Sequence, residues 1–339
     1  GTEGSSYTSF RAGDAYKKRR PMLYVGANDG MLHGFDANSA GGGQEVFAYI
    51  PNALFRELSK LTLPAYGHRY YVDGVSAVGD VFDGTDWHTL LAGATGAGGR
   101  AVFALDVTNP DDFTDSTKAA GKVLWEFTSV DDADLGYTLA QPAVVRTDDV
   151  KTGDAKTKDG YWAVIVANGY DSANGHAVLF VLDALTGVVL QKIDTGVGDT
   201  DKKNGLSSPI AVDTNADRSV DTVYAGDFYG NLWKFKLVSG IWTIPGDKPF
   251  KPFFVACAKS GEPCDPANRQ PITGKHNVGK AGAAGTDQNG VGLMVYFGTG
   301  KYFETGDNSV GDNPQVQTFY GLWDQGTAIT DRRLPRAND

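Results

Sequence analysis

A unit of two short apolar runs joined by a polar turn occurs five times along the chain. In the first unit, the run at residues 22–26 is followed by a turn that holds Asp29 and Gly30, and then by a second run that ends at Asp36. The first runs of the later units end at Gly93, Ala167, Gly226 and Gly298. Short β-branched and aromatic runs around Asp-Gly turns are typical of antiparallel hairpins. The chain is therefore predicted to be all-β.

The spacing of the units narrows the choice of architecture. Their first runs lie 67, 74, 59 and 72 residues apart. A four-stranded propeller blade needs about 40 to 50 residues, so each unit carries an insertion. An outer strand is predicted before each of three later hairpins, at residues 75–82, 141–145 and 208–212. Radial stacking of sheets buries both faces of each sheet, so we predict a single β-propeller domain over residues 1–339.

The remaining segments are predicted to be core or loop. Aromatic residues in the second strands are expected to pack between blades rather than to bind a cofactor. Residues 52–63 are expected to form one or two helical turns, and no amphipathic helix is predicted elsewhere. Long polar insertions are predicted as surface loops, at residues 108–121, 146–160, 194–206 and 244–290.

Charge and hydropathy restrict the partners that can be expected. The chain has 31 Lys and Arg against 41 Asp and Glu, giving a net charge of −10, and its longest basic run is residues 17–20. Nucleic-acid-binding chains concentrate basic residues, so no nucleic-acid partner is expected. No stretch approaches the roughly 20 apolar residues of a membrane helix, so no membrane span is expected. Since the chain begins without Met, it is expected to be a piece of a longer protein. Since only five units are evident before Asp339, the domain is expected to be cut short at its C-terminus.

Residues 213–221 form the stretch with the most specific chemistry. Asp213, Asn215, Asp217 and Asp221 place side-chain oxygens at alternate positions, and Ser219 adds a main-chain carbonyl at the remaining one. An EF-hand loop draws its calcium ligands from positions 1, 3, 5, 7 and 9, which is this spacing. The sequence therefore predicts an EF-hand-like Ca²⁺ site in the fourth repeat, with no catalytic residues.

The match to an EF-hand is incomplete. Position 6, normally Gly, is Arg218, and position 12, normally a bidentate Glu, is Tyr224. The flanking segments 209–212 and 222–225 are apolar and β-branched, so a strand–loop–strand site is predicted in place of helix–loop–helix. The alternative is a polar hairpin turn without a metal, since Asp and Asn favour turns in any case.

The two cysteines lie close together in the 244–290 insertion. Cys257 and Cys264 are separated by seven positions in a polar segment with Gly261 and Pro263 between them. A disulfide closing a small loop is expected, which implies an oxidising compartment, and a pair of free thiols is the alternative. A metal site built from two cysteines without nearby histidine is not expected.

The ordered blocks of this sequence resemble the C-terminal propeller of the PilY/PilC family of type IV pilus biogenesis and tip-adhesin proteins. The resemblance covers about residues 20–324 and rests on segments 22–36, 68–74, 96–106, 132–137, 167–170 and 213–221. It implies a modified, quinoprotein-like propeller with seven blades in the full domain. Only five units are evident here, so two blades are expected to lie outside them.

The resemblance also implies a function. Calcium occupancy of the 213–221 loop is expected to favour pilus extension, and release to permit retraction and twitching motility, with a further role in surface adhesion. The implied partners are pilins, minor pilins, the N-terminal part of the same protein and a host-cell surface. The implied location is the bacterial cell surface, pilus tip or outer membrane, reached through the periplasm.

Two alternatives of other classes remain open at this point. A quinoprotein dehydrogenase shares the blade motif, but its adjacent cysteine pair is absent, since Cys257 and Cys264 are separated by seven positions. A glycan-binding propeller would use exposed Trp and Tyr side chains, whereas the aromatics here lie in apolar strands. The non-enzymatic function is therefore preferred.

Overall fold

Strands and their connections make up most of the computed structural model, which describes residues 2–148, 150–152, 155–156, 161–259, 264–281, 292–311 and 314–326. Two short helices come first, α1 (Thr2–Ala12) and α2 (Asp14–Lys17). The first sheet follows, with strands β1 (Met22–Gly26), β2 (Leu32–Asp36) and β3 (Glu45–Tyr49) in sequence order. Two 3-10 helices, Asn52–Leu54 and Leu58–Thr62, then form the helical turns predicted for residues 52–63.

The second and third sheets have four strands each. The second contains β4 (Ala77–Phe82), β5 (Trp87–Ala94), β6 (Ala101–Asp106) and β7 (Val123–Thr128). Its β6–β7 connection holds 3-10 helices at Pro110–Thr114 and Ala120–Lys122 and the helix α3 (Ser116–Ala119). Strands β8 (Ala143–Thr147), β9 (Lys151–Thr152), β10 (Ala155–Lys156), β11 (Tyr161–Ala167), β12 (Val178–Asp183) and β13 (Val189–Asp194) come next. The third sheet has the order β13-β12-β11-β8, while β9 and β10 pair with each other.

The fourth and fifth sheets complete the described strands. The fourth contains β14 (Ile210–Val212), β15 (Thr222–Gly226), β16 (Asn231–Val238) and β17 (Ile241–Thr243), with β18 (Phe254–Val255) also paired to β16. A 3-10 helix, Pro266–Asn268, precedes the fifth sheet. That sheet contains β19 (Asn277–Lys280), β20 (Leu293–Gly298) and β21 (Phe319–Asp324).

Four hydrophobic clusters lie between successive sheets, which confirms the predicted propeller. Phe103 belongs to the cluster between the first and second sheets, and Phe180 to the one between the second and third. Trp233 lies between the third and fourth sheets, and Phe297 between the fourth and fifth. The second, third and fourth sheets thus bury both faces against their neighbours, and the first and fifth bury one, as radial stacking requires. The expectation that the strand aromatics belong to the core is confirmed. Seven blades stay a prediction, since the described residues form five such sheets.

The first strands of the sheets lie on the inside of the ring. Strand β4 contacts β8, β8 contacts β14 and β14 contacts β19. The last strands of neighbouring sheets are in contact only at β13 and β17 among the described pairs, so the unbroken succession of contacts lies along the first strands, where the blades converge. The outer position predicted for residues 75–82, 141–145 and 208–212 is therefore wrong. Strand patterning reports which face of a strand is buried and does not distinguish the inner edge of a sheet from its outer edge.

Two other expectations need correction. Residues 244–290 are not a loop insertion alone, because they contain β18 and β19, each paired to a neighbouring strand. These strands are only two and four residues long, too short for a sequence pattern to reveal. The helix α1 was also not predicted, because its residues carry a polar, Ser-rich sequence with little apolar periodicity. No helix in the described part of the chain is long and apolar enough to cross a membrane.

A buried polar side chain follows three of the first runs that mark the repeats. Thr95, Asn168 and Asp227 are all fully buried. Asn168 makes four hydrogen bonds, accepting from the amides of Val178 and Leu206 and donating to two main-chain carbonyls. Each of these side chains supplies hydrogen bonds to main chain that a hairpin turn leaves unpaired. They stabilise the turn at one end of the ring.

His276 is a buried titratable group close to the inner strands. Its side chain is 3% exposed, packs on Phe297, and has no hydrogen-bond partner for either ring nitrogen among the described residues. Burial lowers its pKa to about 4, and the nearby Ser208 backbone opposes the shift only in part. The imidazole is therefore neutral in the folded protein at neutral pH.

Acidification is expected to destabilise the fold through His276. The unfolded chain takes up this proton below pH 6.5, whereas the folded chain takes it up only near pH 4. The free energy of unfolding should therefore fall by up to about 3 kcal/mol between these values. Urea denaturation from pH 7 to 4 should show a shallower decline for His276→Leu than for wild type. The exposed His68→Gln variant should keep the wild-type slope, and parallel curves for His276→Leu and wild type would contradict the assignment.

Candidate metal centre

The 213–221 loop joins two paired strands of the fourth sheet. Strands β14 and β15 are antiparallel, with Ile210 opposite Tyr224 and Val212 opposite Thr222. The loop therefore starts and ends at adjacent points of one hairpin. This confirms the strand–loop–strand arrangement predicted for the segment.

The carboxylate of Asp213 organises the first half of the loop. Its Oδ1 accepts hydrogen bonds from the amides of Asn215 at 3.2 Å and Ala216 at 2.6 Å. Its Oδ2 accepts one from the amide of Arg218 at 2.8 Å. Three main-chain N–H groups thus point at one side chain, so the chain curls around the first acidic residue of the motif.

Two residues of the loop have left-handed backbone conformations. Ala216 has a φ of 64° and Arg218 a φ of 76°. This region costs non-glycine residues about 1–2 kcal/mol. Arg218 stands where an EF-hand has the glycine of its sharp turn. The loop therefore turns sharply at that position even though glycine is missing.

Asn215 and Asp217 lie next to Asp213 in this arrangement. The side-chain NH₂ of Asn215 donates to Asp217 Oδ2 at 2.8 Å, and Asn215 Oδ1 accepts from the main-chain amide of Asp217 at 3.0 Å. Asp217 Oδ1 accepts from the amide of Ser219 at 2.8 Å. These three predicted ligands are thus held in one hydrogen-bonded group.

Asp221 is turned toward other partners. Its carboxylate accepts from the Thr214 hydroxyl at 2.7 and 2.8 Å and from the Thr222 hydroxyl at 2.7 Å. Among the described residues, no three His, Cys, Asp or Glu side chains converge closely enough to hold a metal ion. The donor set fits calcium in its chemistry, since every predicted ligand is a hard oxygen. Asp221 would have to exchange its bonds to Thr214 for a cation, so the metal site stays a prediction.

The second half of the loop is attached to the third sheet through Arg146. The Ser219 side chain is buried, and its hydroxyl accepts a hydrogen bond from the Arg146 guanidinium. The amide of Val220 donates to the Arg146 carbonyl at 2.7 Å. Arg146 and Thr214 were not predicted from the sequence. Arg146 is a single polar residue within β8, Thr214 is one polar residue among many in the loop, and nothing near either marks its contact.

Comparison with known protein families covers nearly the whole chain. A family model described as the PilY1 beta-propeller domain matches residues 2–338. The chain belongs to this family. The resemblance to PilY/PilC proteins predicted from the sequence is therefore confirmed.

Relatives in the PilY1 family cover almost all of this chain. It is 40% identical over 352 residues to the type IV pilus biogenesis factor PilY1 of Pseudomonas aeruginosa PAO1, an alignment that covers 98% of the chain and 28% of that protein. A PilY1 homolog of Xylella fastidiosa is 40% identical over 96% of the chain and 21% of its own length. The chain thus spans only about a quarter of the curated relatives that it matches.

A solved structure shares the PilY1 fold. The crystal structure of the Pseudomonas aeruginosa PilY1 C-terminal domain superposes with a TM-score of 0.73 at 37% identity. The match covers 95% of this chain and 60% of that one. The chain therefore corresponds to part of a PilY1 C-terminal propeller.

The disulfide predicted for this PilY1-family chain is confirmed. Cys257 and Cys264 are bonded to each other with Cα atoms 6.1 Å apart, and the structure contains no free cysteine among its described residues. Cys257 is buried and borders the Tyr320 hydroxyl, which accepts from its amide at 3.2 Å. The bond therefore ties a short segment to the fifth sheet, and the free-thiol alternative is excluded.

A groove of about 620 Å³ separates the loop from the fifth sheet of this PilY1-family propeller. Asp213, Asn215, Lys234 and Asp324 are among its lining residues. At its base the buried Tyr224 hydroxyl and the Lys234 ammonium both donate to Asp324 Oδ2. Burial acts to raise the pKa of Asp324, but Lys234 and Tyr224 lower it below its usual value. Asp324 is therefore an anion already neutralised by a lysine.

Proposed function

We propose that this chain is the calcium-regulated propeller of a type IV pilus biogenesis factor. Ca²⁺ is bound by side-chain oxygens of Asp213, Asn215, Asp217 and Asp221 and by the Ser219 carbonyl. Occupancy favours pilus extension, and release favours retraction, which is the movement that drives twitching. The same domain takes part in surface adhesion.

The observation that carries the proposal is the path of the main chain around Asp213. Three amides converge on its carboxylate, and Arg218 adopts the left-handed backbone of the EF-hand glycine position. Left-handed residues also occur in plain two-residue hairpin turns, so the convergence of three amides on one carboxylate is the more specific of the two features. Membership of the PilY1 family supports the pilus role, since relatives in that family are named type IV pilus biogenesis factors.

Electrostatics supports a site that releases its ion. Asp213, Asp217 and Asp221 place three carboxylates within nine positions of one loop, and like charges held close together are relieved by a cation. The twelfth position, which gives an EF-hand its bidentate Glu, is the buried Tyr224. With one strong ligand missing, the site should bind calcium more weakly than a full EF-hand sensor. A weaker site empties when the free calcium concentration falls.

The proposed partners are pilins, minor pilins and the N-terminal part of the same protein, with a host-cell surface as the adhesion target. The proposed location is the bacterial cell surface or pilus tip, reached by export through the periplasm. The Cys257–Cys264 disulfide supports an exported protein, because disulfides persist in oxidising compartments. We propose no catalytic activity for the domain, in line with relatives that are named as biogenesis factors.

Thermal stability tests the metal site directly. Free Ca²⁺ at 100 times its Kd should stabilise the fold by about 2.7 kcal/mol relative to EDTA, because the ion binds only the folded loop. Asp217→Ala should lose this gain. Asp86→Ala is the matched control, since Asp86 is an exposed acid in the equivalent hairpin of the second sheet. Equal midpoints in EDTA and calcium for the wild-type chain would contradict the proposal.

The pilus role is tested in cells that carry the full-length protein. Asp217→Ala should shift the balance toward retraction, so cells should show fewer extended pili than wild type at millimolar calcium. The Asp86→Ala strain should match wild type in both pilus number and twitching. An unchanged pilus number in a strain whose protein has lost calcium binding would separate the metal site from pilus control.

A further inference from the structure

We propose that Arg146 is a positioning residue that couples the 213–221 loop to helix α1, so that calcium binding and helix docking strengthen each other. The inference rests on the calcium site of the proposed function and names its regulation. It concerns helix α1, which precedes the first strand.

The main chain of Arg146 sets the orientation of one proposed ligand. Its carbonyl accepts from the Val220 amide at 2.7 Å, and Thr147 and Val220 form a parallel bridge. A trans peptide is planar, with its N–H and C=O pointing in opposite directions. Because the Val220 N–H points at β8, the Ser219 carbonyl of the same peptide points away from β8. The contact thus fixes the ligand carbonyl before any ion arrives.

The side chain of Arg146 joins the loop to the helix. Its guanidinium donates to the Ser219 hydroxyl and also to both carboxylate oxygens of Glu3, at 3.3 Å from Nε and 3.1 Å from Nη2. The Glu3 and Arg146 side chains are 27% and 25% exposed. Ion pairs in such partly buried sites are screened less than surface pairs. One guanidinium therefore contacts both Glu3 in the first turn of α1 and Ser219 at the seventh position of the loop.

Other contacts seat α1 across the second and third sheets. The Trp162 indole of β11 donates to Glu3 Oε1 at 3.2 Å, and the Trp87 indole of β5 donates to the Ser6 hydroxyl at 3.0 Å. The Tyr7 hydroxyl donates to Asp80 Oδ2 at 3.0 Å, and its ring lies 4.4 Å from that of Trp87. The docked helix thus holds Glu3 in place, and Glu3 holds the Arg146 guanidinium against Ser219.

The sign of the coupling follows from these contacts. A docked helix keeps Arg146 on Ser219 and so pre-orders the half of the loop that carries Ser219 and Asp221. Pre-ordering lowers the entropy cost of binding, which raises calcium affinity. Linkage is reciprocal, so calcium must favour the docked helix by the same factor. Conditions that pull α1 off the propeller should then release calcium.

Calorimetric titration with Ca²⁺ tests the coupling in three variants. Glu3→Gln should weaken calcium binding about fivefold, within the usual range of coupling energies. Arg146→Gln should weaken calcium binding at least as much. The double variant should bind calcium as tightly as whichever single variant binds it more weakly. Asp14→Asn is the control, because Asp14 also lies in an N-terminal helix but forms its ion pair with the exposed Lys18. Its affinity should equal that of wild type.

Limited trypsin cleavage at the exposed Arg11 gives the reciprocal readout. Calcium should slow this cleavage in wild type and Asp14→Asn, and by a smaller factor in Glu3→Gln. If wild type binds calcium but Glu3→Gln binds it equally well and calcium leaves cleavage at Arg11 unchanged, the coupling is wrong and the metal site stands. If wild type binds no calcium, both the proposed function and the coupling are overturned.

Discussion

Asp227→Ala should lower the free energy of unfolding by about 4 kcal/mol, because it leaves several buried donors without an acceptor. The Asp227 carboxylate is fully buried in the β15–β16 turn. Its Oδ2 accepts from the side chains of Asn204 and Asn231 and from the Trp233 indole, and its Oδ1 accepts from two main-chain amides. All five distances are 2.8 or 2.9 Å. Burial raises the pKa of Asp227, and these donors oppose that rise.

Denaturation by urea at pH 7 measures this loss. Asp227→Asn should lower the free energy of unfolding roughly half as much as Asp227→Ala does. Its remaining oxygen still accepts from the two main-chain amides, while its new NH₂ faces side-chain donors and cannot accept from them. Asp201→Ala, an exposed acid in a nearby loop, should stay within about 0.5 kcal/mol of wild type. A loss below about 1 kcal/mol for Asp227→Ala would show that the carboxylate is not what holds this turn together.

Asp324→Ala should cost about 3–5 kcal/mol, the usual effect of leaving a buried charge without its partner. The Lys234 and Asp324 side chains are 11% and 3% exposed. The same carboxylate accepts from Tyr224 of the neighbouring sheet's hairpin. Removing the Asp324 carboxylate leaves the Lys234 ammonium and the Tyr224 hydroxyl without their acceptor between the fourth and fifth sheets.

A variant that replaces all three polar side chains distinguishes the effect of the unpaired charge from the effect of altered packing. Tyr224→Phe, Lys234→Met and Asp324→Leu combined should be far more stable than Asp324→Ala alone, since well-packed apolar replacements of a buried ion pair are often neutral. Both proteins are compared by chemical denaturation at pH 7. If the triple variant is as unstable as Asp324→Ala, the loss comes from repacking and not from the unpaired lysine.

The hairpins and their stacking were predictable because they follow from local patterns. Apolar runs such as Met22–Gly26, followed by glycine-containing turns, favour antiparallel pairing, and their repetition leaves radial stacking as the way to bury both faces. The inner position of β4, β8 and β14 was not predictable, because it depends on how blades converge. Strand β18 was not predicted, because two residues show no periodicity and because its pairing with β16 depends on the tertiary fold.

The candidate site was predictable in composition and only partly in arrangement. The alternating oxygens of Asp213, Asn215 and Asp217 mark the loop in the sequence, and the structure groups those three together. The bonds of Asp221 to Thr214 depend on rotamers that spacing does not specify. Arg146 contacts Ser219 from 73 residues away in the chain, and Glu3 contacts Arg146 from 143 residues away. Contacts at such separations arise only once the blades have stacked.

The hairpin that carries the loop also shows how such a site can vary between related chains. In the second sheet the equivalent hairpin closes on Phe82 opposite Trp87, with residues 83–86 between them. In the fourth it closes on Val212 opposite Thr222, with a loop slightly more than twice as long. Doubling a loop adds only about 0.6 kcal/mol of closure entropy. Insertions at these inner hairpins therefore cost the fold little, so a propeller of this kind can gain or lose a long loop in one blade while the other blades keep their register.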